Sequence, residues 1–168
     1  MRPARHRRSK SDTFLAVVLG VPLLLILSPL IVLMLIGSLA SAVFVHIAAW
    51  AIWSSRGKYV LLVYSDSTIW KEYFESEVIP RLHEKAVVLN WSHRKRWKTS
   101  LATIAFRRYG GRSDFNPMAF VFIPYKPVKT FRYYSAFKEY KQGHPGNVGI
   151  LTDQLIGTLE SIGARPAA

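Results

Sequence analysis

Residues 13–53 form a single apolar stretch that contains no Lys, Arg, Asp or Glu. A charge-free apolar run of about 18 residues or more is typical of a transmembrane helix. A buried core helix rarely stays apolar on every face over such a length, and the apolar core of a signal peptide is only ~7–15 residues long. We therefore predict that this stretch anchors the chain in a membrane.

The number of membrane crossings is less constrained than the anchor itself. As one helix the stretch would extend roughly 60 Å, about twice the hydrocarbon thickness of a bilayer. Three sites are able to interrupt a helix: Gly20 with Pro22, Ser28 with Pro29, and Gly37 with Ser38. Basic residues, which favour the cytoplasmic side, flank both ends: Arg2, Arg5, Arg7, Arg8 and Lys10 before the stretch, and Arg56 and Lys58 after it. This pattern favours a helical hairpin with the tail and the following domain both in the cytoplasm. The alternative is one long span with the domain outside.

Charge divides the chain into a basic cytoplasmic tail (residues 1–12), a transmembrane region (13–53) and one small domain (54–168). The last part holds 18 Lys and Arg against 9 Asp and Glu. Such an excess indicates an acidic partner, and beside a membrane anionic lipid headgroups are the simplest one. The chain has no Cys, which excludes disulfides, thiol redox centres and cysteine-based metal sites. We expect an integral protein of the bacterial inner membrane.

The domain reads as alternating strands and helices in the order β-α-β-α-β-β-α. Apolar runs predict strands at residues 59–64, 86–90, 118–123 and 130–137. Between the first two strands, the four-residue spacing of Trp70, Phe74, Val78 and Leu82 predicts an amphipathic helix. Helices are also predicted over residues 101–109 and from Asn147 to the Gly163 region.

This element order resembles the thioredoxin fold over roughly residues 58–163. Asn116-Pro117 before a hydrophobic strand resembles the cis-proline of that family. Ser67-Thr68-Ile69-Trp70 lies where the family carries its Cys-x-x-Cys, so Ser67 and Trp70 occupy the cysteine positions. The resemblance implies a thioredoxin-like α/β sandwich, with Ser67, Trp70 and Pro117 as vestigial redox-loop positions. Disulfide exchange requires a thiolate, so the expected domain is redox-inactive; another small α/β sandwich is the alternative fold.

A basic cluster follows the second predicted strand. Its members are Arg94, Lys95, Arg96 and Lys98, with Arg107 and Arg108 shortly after. Trp91 and Trp97 flank the first four, and Trp favours the headgroup region of a bilayer. We predict that the cluster contacts anionic lipid or an acidic partner subunit. A solvated loop is the bland alternative, and nucleic acid is not expected because an aromatic and basic loop alone is nonspecific.

His46 is the one ionisable residue inside the apolar stretch, and such residues are functional candidates by default. Residues 42–53, with Ala42 four residues before His46 and then Trp50 and Trp53, resemble the pigment-ligating helix of purple-bacterial antenna polypeptides. That resemblance would imply bacteriochlorophyll at His46. The alternative interpretation is a neutral histidine bonded to a backbone carbonyl.

The remaining patterns carry little chemistry. Ser65, Asp66 and Ser67 with a distant histidine suggest a serine-based hydrolase or transferase only weakly, since no G-x-S-x-G elbow occurs. No metal-ligand or phosphate-loop spacing is present. We therefore predict no catalytic residues, no metal and no cofactor. The favoured function is a membrane-anchored, non-catalytic thioredoxin-like domain that binds or assembles other membrane-protein subunits. The alternatives are a pigment-associated accessory subunit of a photosynthetic complex and the serine-based enzyme.

Overall fold

A computed structural model of the chain describes residues 10–110, 117–141 and 146–163. Its first element is one continuous helix, α1, from Lys10 to Ser54, which includes Pro22 and Pro29. Within it, Leu25–Ser54 is long and apolar enough to cross a membrane. The hairpin prediction is therefore wrong. A proline removes only one backbone hydrogen bond, whereas a turn in an apolar environment would leave several polar groups unpaired.

The last part of α1 belongs to the folded domain. Val43–Ala168 forms one compact unit, whereas Met1–Ala42 forms another. Val45, Ala49 and Trp53 are buried in a core of this unit. The domain therefore begins inside the apolar stretch rather than at residue 54, where charge alone divides the chain.

A glycine-based cap ends α1. Gly57 has a φ of +69°, a conformation that is inexpensive only for glycine. Its N–H donates to the Ser54 carbonyl and the Lys58 N–H donates to the Trp53 carbonyl. These two bonds are those of a Schellman motif, and they turn the chain directly into the first strand.

A four-stranded mixed sheet forms the centre of the domain, with strand order β2-β1-β3-β4. The strands are β1 (Val60–Tyr64), β2 (Ala86–Asn90), β3 (Met118–Val121) and β4 (Lys129–Arg132). β1 and β2 are parallel, whereas β3 is antiparallel to both β1 and β4. The register places Tyr64, Asn90, Met118 and Arg132 at one edge, here called the carboxyl edge, and Val60, Ala86, Val121 and Lys129 at the other, the amino edge.

A helical segment that changes its winding connects β1 to β2. It comprises α2 (Lys71–Tyr73), a π-helix (Phe74–Val78), α3 (Ile79–Leu82) and a short 3-10 turn (His83–Lys85). A strict four-residue repeat drifts around an α-helix of 3.6 residues per turn. The wider π turn offsets that drift, and Phe74, Val78 and Leu82 are all fully buried.

Helices cover both faces of the sheet. On one face, the segment after β1 packs with α5 (Tyr134–Lys141) and α6 (Gly146–Gly163) against Val60, Leu62 and Tyr64. On the other, the end of α1 and α4 (Leu101–Tyr109) pack against Leu61, Val63 and Phe120. The chain thus has one long apolar helix and a small mixed sheet between helical layers.

The fourth predicted strand is shorter than expected. β4 ends at Arg132, and residues 134–141 are helical rather than extended. Phe131 and Tyr133 alternate as in a strand, but Tyr133, Ala136 and Phe137 bury one face at helical spacing. The residues after Arg132 therefore follow the 3.6-residue period of a helix rather than the two-residue period of a strand. Asn116 lies outside the described residues, so the predicted cis bond to Pro117 stays a prediction.

A candidate binding site at the carboxyl edge

The chain leaves β1 and β2 at the same edge of the sheet, and their following loops are joined by hydrogen bonds. The Asn90 amide nitrogen donates to the Asp66 carboxylate at 2.9 Å. The Asp66 N–H donates to the Ser92 hydroxyl at 2.9 Å, and the Ser92 N–H donates back to the Asn90 side-chain oxygen. Asp66 and Asn90 thereby fix the start of the segment that follows β2.

Asp66 also lies close to two further side chains. The Lys71 ammonium lies 3.4 Å from one carboxylate oxygen, and the His93 imidazole lies 3.6 Å from the other. The Asn90 hydrogen bond, followed by the Lys71 charge, lowers the pKa of Asp66. The carboxylate is therefore ionised at neutral pH and already occupied by partners from its own chain.

The basic residues after β2 stand on a short 3-10 helix, Trp91–Arg96. We call residues 91–98 the basic segment. Its four cations are exposed to solvent: Arg94, Lys95, Arg96 and Lys98. The Arg94 guanidinium lies over the Trp91 ring, 4.9 Å from its centroid. The segment is thus short, defined in conformation and positively charged on its outer side.

Aromatic packing holds the basic segment from beneath. Trp91 and Trp97 meet edge to face with ring centroids 5.8 Å apart, and each also contacts Phe106 of α4. The two tryptophans were predicted to contact lipid headgroups. The structure instead packs them, partly buried, against the core formed by the end of α1 and α4. Their role is therefore to position the basic segment.

Arg107 and Arg108, which were grouped with the same cluster, lie in the last turn of α4. Ser100 caps the beginning of that helix, and Lys98 precedes the cap. At ~1.5 Å per residue the two arginines lie about 9–11 Å along the helix from its first residue. The six basic residues therefore divide into a group of four at the carboxyl edge and a pair at the far end of α4.

The residues predicted to be vestigial redox-loop positions contact side chains and backbone groups of their own chain. Trp70 donates its indole N–H to the Ser65 hydroxyl at 3.0 Å and packs against Phe137 at 5.9 Å between centroids. The Ser67 hydroxyl accepts from the Ile69 N–H at 3.4 Å. Pro117 is buried and precedes Met118, the partner of Val63, so it lies at the same edge as the Ser67–Trp70 loop.

This edge lacks the geometry of an activated nucleophile within the part of the chain that the structure describes. Ser65 is buried and its hydroxyl faces Trp70, whereas His93 faces Asp66. No serine–histidine hydrogen bond joins them, which a triad requires. In residues 10–110, 117–141 and 146–163, no group of His, Cys, Asp and Glu is placed to hold a metal ion.

His46 lies outside this edge. Its Nε2 is 3.1 Å from the Ile123 carbonyl oxygen, and its ring packs against Phe122. This is the carbonyl-bonded arrangement that the sequence left as an alternative. A pigment bound through Nε2 would have to displace that hydrogen bond.

Sequence reasoning missed the partners of Asp66, because Lys71, Asn90 and His93 come from three separate segments. Asn90 at a strand end was the available signal, since the carboxyl ends of adjacent parallel strands are where α/β proteins place binding residues. Comparison of the chain with protein families, with curated proteins and with solved structures finds no match.

Proposed function

We propose that this protein is a membrane-anchored, redox-inactive thioredoxin-like domain that serves as a binding or assembly subunit of a membrane-protein complex. In this role α1 holds the domain at the membrane, and the basic segment binds an acidic surface of another subunit. The domain carries out no chemistry of its own.

The scaffold part of the proposal is supported by topology. A parallel β1–β2 pair, joined to an antiparallel β3–β4 hairpin through β1 and β3, is compatible with the thioredoxin-like element order. Helices lie on both faces of the sheet. Since Ser67 and Trp70 stand where that family has its cysteines, and the chain has no Cys at all, a thioredoxin-like chain of this kind would bind without exchanging disulfides.

The single observation that carries the binding role is the rigid presentation of four like charges. Clustered cations repel one another, so an isolated domain gains nothing by ordering them. Here Asp66, Asn90 and Ser92 fix one end of the basic segment through hydrogen bonds, and Trp91 and Trp97 fix its base. Ordering of this kind lowers the entropy that binding would otherwise cost.

An acidic protein surface fits the basic segment better than the bilayer does. The end of α1 contacts residues that follow β3: His46 bonds to Ile123, and Trp53 packs on Phe122. Those residues lie beyond the amino edge of the sheet, whereas the basic segment lies beyond the carboxyl edge. The amino edge, next to the end of α1, and the basic segment at the carboxyl edge therefore face different partners.

The test is co-purification of the full-length, tagged chain from its own membranes in mild detergent. One variant changes Arg94, Lys95, Arg96 and Lys98 to Ser. A matched control removes four other exposed charges: Arg56, Lys85, Arg132 and Lys138. We expect the control to retain a co-purifying membrane protein with an acidic surface, and the basic-segment variant to lose it.

Ionic strength provides a second criterion. The Debye length falls from ~10 Å at 0.1 M salt to ~3 Å at 1 M, so the interaction should weaken across that range. The same set of co-purifying proteins for both variants, unaffected by salt, would show that the basic segment is only a solvated loop.

A further inference from the structure

The loop between β3 and β4 holds an aromatic residue in an unfavourable backbone conformation. Ile123–Lys126 forms a turn in which the Lys126 N–H donates to the Ile123 carbonyl. Pro124 occupies the second position, as is common in turns, and Tyr125 occupies the third with a φ of +58°. That third position favours Gly or Asn, and an L-residue with a large side chain costs about 1–2 kcal/mol there.

The Tyr125 ring is also left in solvent. It is 99% exposed, although its centroid lies 6.2 Å from that of Trp50. Backbone strain and an exposed aromatic ring both count against the isolated domain. A surface that receives the ring would offset both costs, and an amphipathic Tyr or Trp is best accommodated in the headgroup region of a bilayer.

α1 fixes this turn to the end of the candidate span. His46 bonds to the Ile123 carbonyl, the same carbonyl that closes the turn. Trp50, which contacts Tyr125, lies in the final turns of Leu25–Ser54. The turn is therefore attached to the helix near the point where a membrane-crossing helix would leave the hydrocarbon.

A basic groove adjoins the turn. Its volume is about 580 Å³, and it lies between the β3–β4 loop and α6. Lys126 and Lys129 contribute two cations, and Thr130, Thr158 and Ser161 contribute hydroxyls. The Lys129 ammonium donates to the Thr158 hydroxyl at 3.0 Å, which holds it at the groove. The Thr158 and Ser161 hydroxyls already donate to the Gln154 and Thr158 carbonyls. The ammonium groups of the two lysines are therefore the donors at this open groove that suit a phosphate group.

We propose that residues 123–129 form a docking surface for the phospholipid headgroup layer, with Tyr125 in the interface and the groove on a lipid phosphate. His46 is then a positioning residue, because it holds the turn through the Ile123 carbonyl. The inference rests on the membrane anchoring proposed above. It extends that proposal by assigning the amino edge to lipid and leaving the carboxyl edge to a protein partner.

The test measures the depth of single labels in the full chain reconstituted into vesicles. Because the chain has no Cys, one introduced cysteine carries an environment-sensitive nitrobenzoxadiazole label. Pro127→Cys places the label beside Tyr125, Ile31→Cys places it in the apolar span, and Lys95→Cys places it in the basic segment. Vesicles of phosphatidylcholine, alone or with phosphatidylglycerol, contain spin-labelled lipids that quench a nearby label.

We expect lipid quenching at positions 31 and 127, with iodide quenching from the water at position 95. In the Pro127→Cys background, Tyr125→Asn should abolish lipid quenching at 127, because Asn tolerates the positive φ and removes only the ring. Phosphatidylglycerol should increase the lipid quenching at position 127, and changing Lys126 and Lys129 to Ser should abolish that increase.

The quenching pattern distinguishes failure of the membrane anchor from failure of the headgroup surface. Lipid quenching at 31 but not at 127 leaves the anchor intact and overturns the headgroup surface. No lipid quenching at either position overturns the anchor, and the headgroup surface with it. Lipid quenching at 95 but not at 127 would assign the bilayer to the basic segment instead.

Discussion

Tyr64 and Tyr133 lie in the same core, on the face of the sheet that carries Phe74. The pKa of Tyr133 rises to about 12, chiefly because the residue is buried, while the Thr152 hydroxyl opposes the shift. The pKa of Tyr64 also rises to about 12, first through burial and then through its hydrogen bond to Glu75. Both hydroxyls therefore stay neutral at a pH at which exposed tyrosines ionise.

The raised pKa of Tyr133 predicts alkaline instability. Unfolded tyrosine titrates near pH 10, so between about pH 10 and 12 the unfolded chain loses a proton that the folded chain keeps. Stability is unaffected below that window and falls as pH rises through it. At about 1.4 kcal/mol per pKa unit, Tyr133 alone accounts for about 3 kcal/mol.

Melting of the detergent-solubilised protein as a function of pH tests this expectation. Tyr133→Phe should melt close to the native protein at neutral pH and lose less stability above pH ~10. Tyr134→Phe, an exposed neighbour, is the control and should follow the native curve. Identical alkaline curves for all three proteins would contradict the burial of the Tyr133 hydroxyl.

Among the elements, α1 has two environments along its length. Leu33, Met34 and Leu35 are exposed apolar residues, as a lipid-facing helix requires, whereas Val45 and Ala49 are buried against the domain. The helix contributes core residues to the domain as well as the candidate span. A domain fragment that begins at residue 56 would expose the surface that this end of α1 covers.

The packing of α1 predicts a difference between two identical substitutions. Ala49 is fully buried, whereas Ala51 on the same helix is exposed. Ala49→Leu overfills the core and should destabilise the domain by about 1–3 kcal/mol. Ala51→Leu should remain within about 0.5 kcal/mol of the native protein.

Chemical denaturation in detergent, followed by tryptophan fluorescence, measures both variants. Trp53 lies in the same core as Ala49, and Trp50, Trp91 and Trp97 pack against that core. The fluorescence therefore follows the unfolding of this core. Equal midpoints for the two variants would show that the end of α1 does not pack in the domain.

On the scale of the whole molecule, charge and helix length together determine an expected orientation. The single crossing proposed for α1 would place its two ends on opposite sides of the membrane. The residues before the candidate span Leu25–Ser54 include five Lys and Arg: Arg2, Arg5, Arg7, Arg8 and Lys10. Because such residues are retained in the cytoplasm, we expect the tail inside and the domain outside, which reverses the orientation inferred from a hairpin.

A membrane-impermeant maleimide tests that orientation, since the native chain offers no thiol. Ser9→Cys reports on the tail, and Thr99→Cys reports on an exposed position of the domain. In intact spheroplasts we expect labelling at 99 only, with position 9 labelled after lysis. Labelling of both positions only after lysis would instead show that the domain lies in the cytoplasm.

Elements whose signals are local could be predicted from the amino-acid sequence alone. An uncharged apolar stretch predicts a long membrane-compatible helix because burial of charge is costly in any apolar surrounding. β1, β2 and β3 were readable as apolar runs, and the spacing of Trp70, Phe74, Val78 and Leu82 identified the helical segment after β1. These patterns depend on neighbours within one turn or one strand.

Features that depend on residues far apart in the chain become visible only when the elements pack together. His46 gains a partner 77 positions away at Ile123, so an apparent intramembrane ligand becomes part of the domain. Asp66 meets Asn90 and His93 only because parallel pairing of β1 and β2 brings their ends together. Tyr125 receives its positive φ from a turn closed between two strands. Such contacts leave no period in the sequence, because each depends on how separate elements pack.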